Sequence, residues 1–326
     1  MRYLLRRIGI YIVTAWAAIT INFLIPRMMP GDPVEILAAR LQGKLAPQAI
    51  HSLELALGVS HASLWDQYVQ YIGDLFQGNL GRSVTYFPSP VTTIISASLP
   101  WTVVLVGVAT ILSFALGTIL GIFSAWKRNS TLDNLLAPIA TFFYAVPYFW
   151  LALILLFLLG VGLKWFPLSG AFGLDVTPAT TLDFFASAAY HAILPALTIV
   201  LSSMAGWLLG MRNMMVTTLS EDYIILAEAK GLSTRRIMFA YAARNAILPN
   251  ITGFALSLGF IVSGSLLTEI VFSYPGIGYE LLQAVQNNDY PLMQGIFLII
   301  TLSVLVANFI ADTFYVVLDP RIRQEG

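Results

Sequence analysis

The sequence predicts an all-α polytopic membrane protein with six transmembrane helices, on the strength of its composition and of its long apolar runs. Hydrophobic residues make up 58% of the 326 residues, charged residues make up 10%, and the mean hydropathy is +0.79. Such a composition is typical of membrane proteins. Six stretches without Asp, Glu, Lys or Arg can each cross a hydrocarbon core of about 30 Å as a helix of roughly 20 residues. The alternation of a barrel strand is missing, so these stretches satisfy their backbone polar groups only as helices.

The predicted spans follow one another along the whole chain, at residues 8–26, 101–125, 135–162, 192–211, 247–268 and 292–311. Pro138, Pro147 and Pro195 lie inside spans, where each removes a backbone hydrogen bond and can kink its helix. Membrane helices ordinarily tolerate proline, so these positions are weak evidence for a substrate site.

Lys and Arg are divided unequally between the two ends of the spans, twelve of the 17 on one side and five on the other. Because positive residues beside spans favour the cytoplasm, both termini are predicted to be cytoplasmic. The cytoplasmic set is Arg2, Arg6, Arg7, Lys127, Arg128, Arg212, Lys230, Arg235, Arg236, Arg244, Arg321 and Arg323. The basic start could also open a signal peptide, but the first run has span length and lacks small residues at a cleavage site. The net charge of zero excludes a nucleic-acid binder.

A long stretch, residues 27–99, separates the first two spans and is predicted to form a small extracytoplasmic cap. Helical periodicity covers residues 46–57 and 64–76. The second of these helices has an apolar stripe that we expect to pack on the outer ends of the spans rather than to bind a ligand. Its members are Leu64, Tyr68, Tyr71, Ile72 and Leu75. We therefore predict two domains, residues 1–99 with the first span and the cap, and residues 100–326 with a five-helix core.

The polar segment 220–249, called the knob below, is the strongest indication of function. Ser220 is a predicted N-cap, Gly231 suits the left-handed position after a helix, and Ser233 or Thr234 can cap a second helix. The knob is therefore predicted to be a helix, a glycine turn and a helix. Its small side chains would let another protein approach closely. The alternative is a pair of linker helices that rest on lipid headgroups.

Ala227-Glu228-Ala229-Lys230-Gly231-Leu232, followed by Arg235-Arg236 and by Ala246-Ile247-Leu248-Pro249, resembles the EAA coupling loop of ABC-importer permeases, and the dipeptide and oligopeptide branch most. Further similar stretches lie at residues 30–33, 78–83, 191–198, 269–278 and 319–321. The resemblance therefore covers essentially the entire chain. In one departure, the family signature begins Glu-Ala-Ala, whereas Ile225, Leu226 and Ala227 stand at those positions.

The resemblance implies a type I ABC importer permease fold in a bacterial or archaeal cytoplasmic membrane, and it implies several protein partners. A second homologous permease subunit would complete the translocation path, cytoplasmic ATPase subunits would grip the coupling helices at about residues 218–249, and an extracytoplasmic binding protein would deliver substrate. The implied ATPase-coupling residues are Ala227, Glu228, Ala229, Lys230, Gly231, Arg235 and Arg236. Membrane lipid surrounds the spans. Di- or oligopeptides are the expected cargo, with oligosaccharides or metal complexes as the alternative.

The sequence lacks the motifs that other functional classes require. Lys44, Lys127, Lys164 and Lys230 are not followed by Ser or Thr, so the Walker A pattern is missing and partner subunits must hydrolyse ATP. The sequence also contains no His-Glu-x-x-His, no Gly-x-Ser-x-Gly and no cysteine, so we predict neither an enzyme nor a metal or cofactor site. A stand-alone secondary transporter is the remaining rival class, but it predicts buried coupling carboxylates and inverted repeats.

Three polar residues near the ends of spans are candidates for a gate or for structural support. Glu269 ends the fifth predicted span, and Asp312 ends the sixth, with Asn308 one turn earlier. Carboxylates deep in a membrane are costly and often functional, but these lie near span ends, which favours structural pairing. His191 is expected to be a hydrogen-bonded packing residue rather than a ligand.

Overall fold

The computed structural model describes residues 2–28, 62–263 and 265–318, and most of them are helical. The predicted helix at 46–57 and the similar stretches at 30–33 and 319–321 lie outside the described residues. The helices are α1 (Arg2–Met28), α2 (Leu64–Phe76), α3 (Val91–Trp126), α4 (Thr131–Ala145), α5 (Tyr148–Leu155), α6 (Leu182–Thr218), α7 (Asp222–Ala229), α8 (Thr234–Arg236), α9 (Arg244–Ala246), α10 (Leu248–Gly259), α11 (Leu266–Val271), α12 (Ile277–Gln286) and α13 (Tyr290–Leu318). Two π-helices, Leu156–Gly162 and Ile237–Ala243, and a 3₁₀ turn at Ile261–Ser263 lie between them. The predicted all-α fold class is confirmed.

Four helices, α1, α3, α6 and α13, are long and apolar enough to cross a membrane. They coincide with the first, second, fourth and sixth predicted spans. With 36 and 37 residues, α3 and α6 are longer than those predictions. At about 1.5 Å per residue, both helices exceed a hydrocarbon core of about 30 Å, because their more polar ends continue the helix beyond the apolar run.

The third predicted span is a sharply bent pair rather than one straight helix. The helix α4 and the segment Tyr148–Gly162 meet at 101°. Val146 is extended, with φ −76° and ψ 126°, and Pro147 follows it at the N-cap of α5. Proline disfavours helical geometry in the residue before it, which accounts for the break. By contrast, Pro138 and Pro195 lie inside α4 and α6, which continue past them.

The fifth predicted span, residues 247–268, is interrupted in the structure. Helix α10 ends at Gly259, a 3₁₀ turn follows at Ile261–Ser263, and α11 begins at Leu266. Glycine weakens a helix interior because its backbone loses the most entropy on ordering, which favours a helix end at this point. Counting the bent pair as one span, the described residues contain five candidate spans.

The chain divides into two compact units, each built from separate stretches of sequence. The first comprises residues 1–102, 262–266 and 275–326. Within it α1 lies along α13, where the rings of Tyr11 and Phe309 meet edge to face at 5.5 Å and the Asn22 amide donates to the Gln294 carbonyl at 2.8 Å. The helix α12 buries Ile277 against the start of α13.

A buried carboxylate holds the loop before α3 in this first unit. Asp289 caps α13 by accepting a hydrogen bond from the Leu292 N–H at 3.1 Å. It also accepts hydrogen bonds from the Ser83 hydroxyl and from the Thr85 N–H, the latter at 2.8 Å. Because Asp289 is buried, these donors replace the water that the carboxylate loses on folding. The similar stretch at 78–83 therefore ends in a loop that is bonded to the N-terminus of α13.

The second unit comprises residues 103–261 and 267–274, and it contains the knob. Its long helices α3 and α6 pack closely at Gly117 and Gly121. An ideal Cβ at Gly117 would lie 2.6 Å from the Met204 carbonyl oxygen, and one at Gly121 would lie 2.6 Å from the Leu208 carbonyl oxygen. Two small residues one turn apart let the two backbones meet, as in membrane helices with the Gly-x-x-x-Gly pattern.

Candidate functional site

The first helix of the knob ends in a left-handed glycine, as the sequence predicts. Gly231 has φ +72°, its N–H donates to the Glu228 carbonyl at 2.9 Å, and the Leu232 N–H donates to the Ala227 carbonyl at 3.3 Å. These two bonds form a Schellman motif that satisfies the last carbonyls of α7. No atom lies within 4 Å of an ideal Cβ at Gly231, so the turn requires glycine for its backbone conformation and not for space.

The start of α7 differs from the sequence prediction. Glu221, not Ser220, occupies the N-cap position, so the prediction of Ser220 as N-cap was wrong. The Ser220 hydroxyl instead donates to the Thr217 carbonyl at 2.7 Å and so belongs to the end of α6. The physical reason is local competition, because a serine hydroxyl can bond to a carbonyl three residues earlier as well as to a helix N-terminus.

The inner face of the knob packs against the ends of α3 and α6. Ile224 and Ala227 are buried on α7, together with side chains of the second helical segment and of the long helices. The further buried members are Ile122, Ala125, Met211, Met215, Ile237, Met238, Ala242, Ala243 and Ala246. Many of them are alanines, whose small side chains let the helix axes approach closely, and the knob shares this buried cluster with the two spans.

A side-chain hydrogen bond links the two helical segments of the knob. The Asn245 amide on α9 donates to the Tyr223 hydroxyl on α7 at 3.0 Å, and it also donates to the Tyr241 carbonyl at 3.0 Å. Tyr241 lies in the π-helix that carries the buried Met238 and Ala242. The Schellman turn and this bond therefore fix the angle between the segments at both ends.

The outer face of the knob combines apolar and charged groups. Ile225 and Leu226 are 56% and 55% exposed, although they precede the buried Ala227 directly. Of the seven predicted coupling residues, Glu228, Ala229, Lys230, Gly231, Arg235 and Arg236 are exposed, as Ile225 and Leu226 are, whereas Ala227 is buried. The site thus exposes apolar, acidic and basic side chains together, and apolar groups with polar neighbours are typical of a protein interface.

Sequence reasoning missed an ion pair at the base of the knob. Arg212 on α6 binds Asp133 on α4 through two bonds, Nε to Oδ1 at 2.6 Å and Nη2 to Oδ2 at 2.9 Å. Ser124 on α3 donates to the same carboxylate at 2.6 Å, and the Asn129 N–H donates at 3.1 Å. Asp133 therefore joins three helices. The available signal was its position three residues after Ser130, the N-cap of α4.

The candidate gate residues belong to two helices, α11 and α13. Glu269 is fully buried on α11, and Asn308 is half-buried on α13. Asp312 lies on the backbone of α13, but its side chain is outside the described set. The His191 ring bonds to the Ser187 carbonyl at 2.8 Å within its own helix. Among the residues that the structure describes, no group of three His, Cys, Asp or Glu side chains could hold a metal ion.

Comparison with known families identifies a long match over the second half of the chain. The family described as "Binding-protein-dependent transport system inner membrane component" matches residues 117–324, which include the knob. The matched range is more than half of the 326 residues.

Curated relatives match over their whole lengths. The Di/tripeptide transport system permease protein DppB of Pseudomonas aeruginosa (strain UCBPP-PA14) is 36% identical, and the alignment covers 100% of this chain and 99% of that protein. The Dipeptide transport system permease protein DppB of Escherichia coli (strain K12) is 33% identical with the same coverage. The Oligopeptide transport system permease protein AppB of Bacillus subtilis (strain 168) is 32% identical, with 98% of each chain covered.

A solved structure is similar to this chain in fold. A chain of the MetNI methionine ABC transporter, in an inward-facing conformation, superposes with a TM-score of 0.55. It is 14% identical, and the match covers 70% of this chain and 97% of that chain. At this identity the likeness concerns the fold alone.

Proposed function

Because this chain belongs to the family of binding-protein-dependent transport system inner membrane components, we propose that it is the permease subunit of an ATP-driven importer of dipeptides or oligopeptides. The peptide cargo rests on three relatives that are named as peptide permeases and are 32% to 36% identical over almost their full lengths. Oligosaccharides or metal complexes are the alternative cargo for the same machinery, and no observation in this chain favours them.

The observation that carries the mechanism is the exposed apolar pair Ile225 and Leu226 on a knob whose other face is buried. Water-exposed isoleucine and leucine beside basic residues suit a protein groove. We assign that groove to a cytoplasmic ATPase subunit, with Glu228, Ala229, Lys230, Gly231, Arg235 and Arg236 around the apolar centre. Ala227 is buried and contributes indirectly, because its small side chain lets α7 pack close to α6.

Transmission of the ATPase motion follows from the packing of the knob. The buried cluster joins α7 and the π-helix to the ends of α3 and α6, so a displacement of the knob moves these spans with it. Packed cores switch between discrete arrangements more readily than they deform, which suits alternating access by rocking of rigid helices. The energy then comes from the partner ATPase, as the missing Walker A pattern requires.

The remaining partners and the orientation belong to the same proposal. A second homologous permease subunit completes the translocation path, an extracytoplasmic binding protein delivers the cargo, and both termini face the cytoplasm. Glu269, Asn308 and Asp312 serve as structural polar residues or as a gate. A stand-alone secondary transporter would need internal inverted repeats, which the sequence lacks, and the match to a binding-protein-dependent transport family does not favour that class.

The coupling role is tested at Gly231. In Gly231→Val, a β-branched side chain must adopt φ +72°, which costs about 1–2 kcal/mol for an ordinary L-residue and opens the turn. We expect the variant to lose most ATPase co-purification and most peptide transport while the membrane-inserted chain persists. Gly231→Asn should retain both, because asparagine tolerates the left-handed region.

A matched control separates coupling from general strain. Gly78 has φ +71° and, like Gly231, open space around its Cβ position, but it lies before α3 and far along the chain from the knob. Gly78→Val should leave ATPase co-purification intact. If Gly231→Val keeps both co-purification and transport at the level of the unmodified chain, the knob is not the coupling element.

A further inference from the structure

The helix α2 has an exposed apolar stripe that is distinct from the face with which it contacts α1. Trp65, Val69 and Phe76 are 70%, 54% and 90% exposed. At about 100° per residue these three positions fall within roughly 40° of one another around the helix. Three large apolar side chains on one line need an apolar environment.

A second face of α2 fixes its place beside the last turns of α1. The Tyr68 hydroxyl and the Thr20 hydroxyl lie 2.8 Å apart, and the Tyr68 ring meets the Phe23 ring at 5.1 Å. The Asn22 amide donates to the Tyr71 hydroxyl at 3.4 Å. Tyr68 and Tyr71 therefore pack on a span as predicted, whereas Leu64 of the predicted stripe is 62% exposed. The Trp65 stripe lies on another part of the helix circumference, and its Trp65 ring is 6.1 Å from the Tyr68 ring.

An arginine at the end of α1 indicates how deep the start of α2 lies in the membrane. Arg27 lies next to the last residue of the candidate span Arg7–Met28. Its Nε donates to the Gln67 side chain of α2 at 3.0 Å, and its Nη1 donates to the Phe23 carbonyl at 2.8 Å. A guanidinium at a span end lies in the headgroup region, where it remains hydrated. Gln67, in the first turn of α2, is consequently held at this depth.

We propose that α2 is an interfacial anchor, with Trp65, Val69 and Phe76 inserted into the membrane at the level of the lipid headgroups and the first acyl carbons. Asp66 and Gln70 form a third, exposed polar face that suits the aqueous side. The surface of α1 supports lipid as the occupant, because Ile21 in the adjoining candidate span is also an exposed apolar side chain. Tryptophan is enriched at this depth in membrane proteins.

The charge of α2 defines the kind of lipid contact. The helix carries Asp66 and Asp74 and has no Lys or Arg. It therefore differs from basic interfacial helices that bind anionic headgroups, and its contact depends on apolar area. We expect insertion into zwitterionic and anionic bilayers alike.

Spin labels on single cysteines test the proposal in the full chain, which contains no native cysteine. Val69→Cys and Phe76→Cys report the stripe, Gln70→Cys reports the polar face, and Ile21→Cys reports a lipid-facing residue of α1. The labelled chains are reconstituted in phosphatidylcholine vesicles, and collision rates with oxygen and with a water-soluble nickel chelate are compared. The two stripe sites guard against failure of one variant to fold.

We expect both stripe labels to collide with oxygen nearly as often as the Ile21 label and with nickel several-fold less often than the Gln70 label. The same values should hold when phosphatidylglycerol is added. Equal nickel access at Val69 and Gln70 would place the stripe in water and overturn the proposal. Protection from both reagents would show a protein cover, and protection only with anionic lipid would show electrostatic binding, and either result also overturns it. The readout needs no transport, so it stands apart from the proposed function.

Discussion

Alanine at Gly121 should destabilise the chain by about 1–3 kcal/mol, the usual cost of overpacking a tight interface. The new Cβ would lie 2.6 Å from the Leu208 carbonyl oxygen and 3.1 Å from the Arg212 nitrogen. Both are backbone atoms and cannot rotate away, so α3 and α6 must separate. Thermal unfolding of the purified chain in detergent should show a lower midpoint, and Gly117→Ala should behave in the same way.

Gly107 on the same helix provides the matched control. Its ideal Cβ would meet only the Ile261 side chain, at 3.9 Å, which is ordinary contact. Gly107→Ala should be neutral or slightly stabilising, since alanine is the better helix former. Equal unfolding midpoints for Gly107→Ala and Gly121→Ala would contradict the close helix contact.

Local features of the fold follow from the sequence because short-range rules determine them. The left-handed turn at Gly231 and the helix Leu64–Phe76 both match their predictions, one from glycine's backbone freedom and the other from apolar periodicity. An apolar run gives the amount of chain in the membrane but not its direction. The 101° bend at Pro147 and the break after Gly259 could therefore not be predicted as such.

The candidate site likewise combines local features that the sequence predicts with long-range contacts that it does not. The residues around Gly231 are exposed and their coupling role stays a prediction, whereas the burial of Ala227 depends on how α7 meets α3 and α6. Ser220 shows that a capping residue can bond to either of two neighbouring helices. The Gly-x-x-x-Gly pair and the ion pair of Asp133 are long-range contacts. The glycine spacing and the position of Asp133 after the N-cap Ser130 are readable in the sequence, but their partners on α6 are not.

The second large loss of stability is expected when the ion pair between Asp133 and Arg212 is broken. Asp133 is buried, and its carboxylate accepts hydrogen bonds from Arg212, Ser124 and the Asn129 N–H. These donors replace the water that the carboxylate loses on burial. Removing one member of a buried pair costs about 3–5 kcal/mol, because the other charge stays desolvated without a partner. Arg212 keeps part of its side chain exposed, which places Asp133→Asn near the lower end of that range.

Two comparisons isolate the pair from general effects of neutralising an acid. Asp222→Asn removes an exposed carboxylate at the start of α7 and should cost only about 0.3–1 kcal/mol. The double variant Asp133→Asn/Arg212→Gln removes both charges and should recover part of the stability lost in Asp133→Asn. Denaturation midpoints of the single and double variants measure this recovery. A double variant less stable than either single one would show that the two side chains act independently.

Transport should respond to Asp133→Asn in a way that separates docking from transmission. The pair fixes the ends of α3, α4 and α6 beneath the knob, while the exposed face at Ile225 and Leu226 does not involve it. We therefore expect Asp133→Asn to retain ATPase co-purification and to lose most peptide transport, whereas Gly231→Val loses both. If Asp133→Asn transports peptide normally, the ion pair contributes to stability alone and the motion of the knob passes to the spans through the buried cluster.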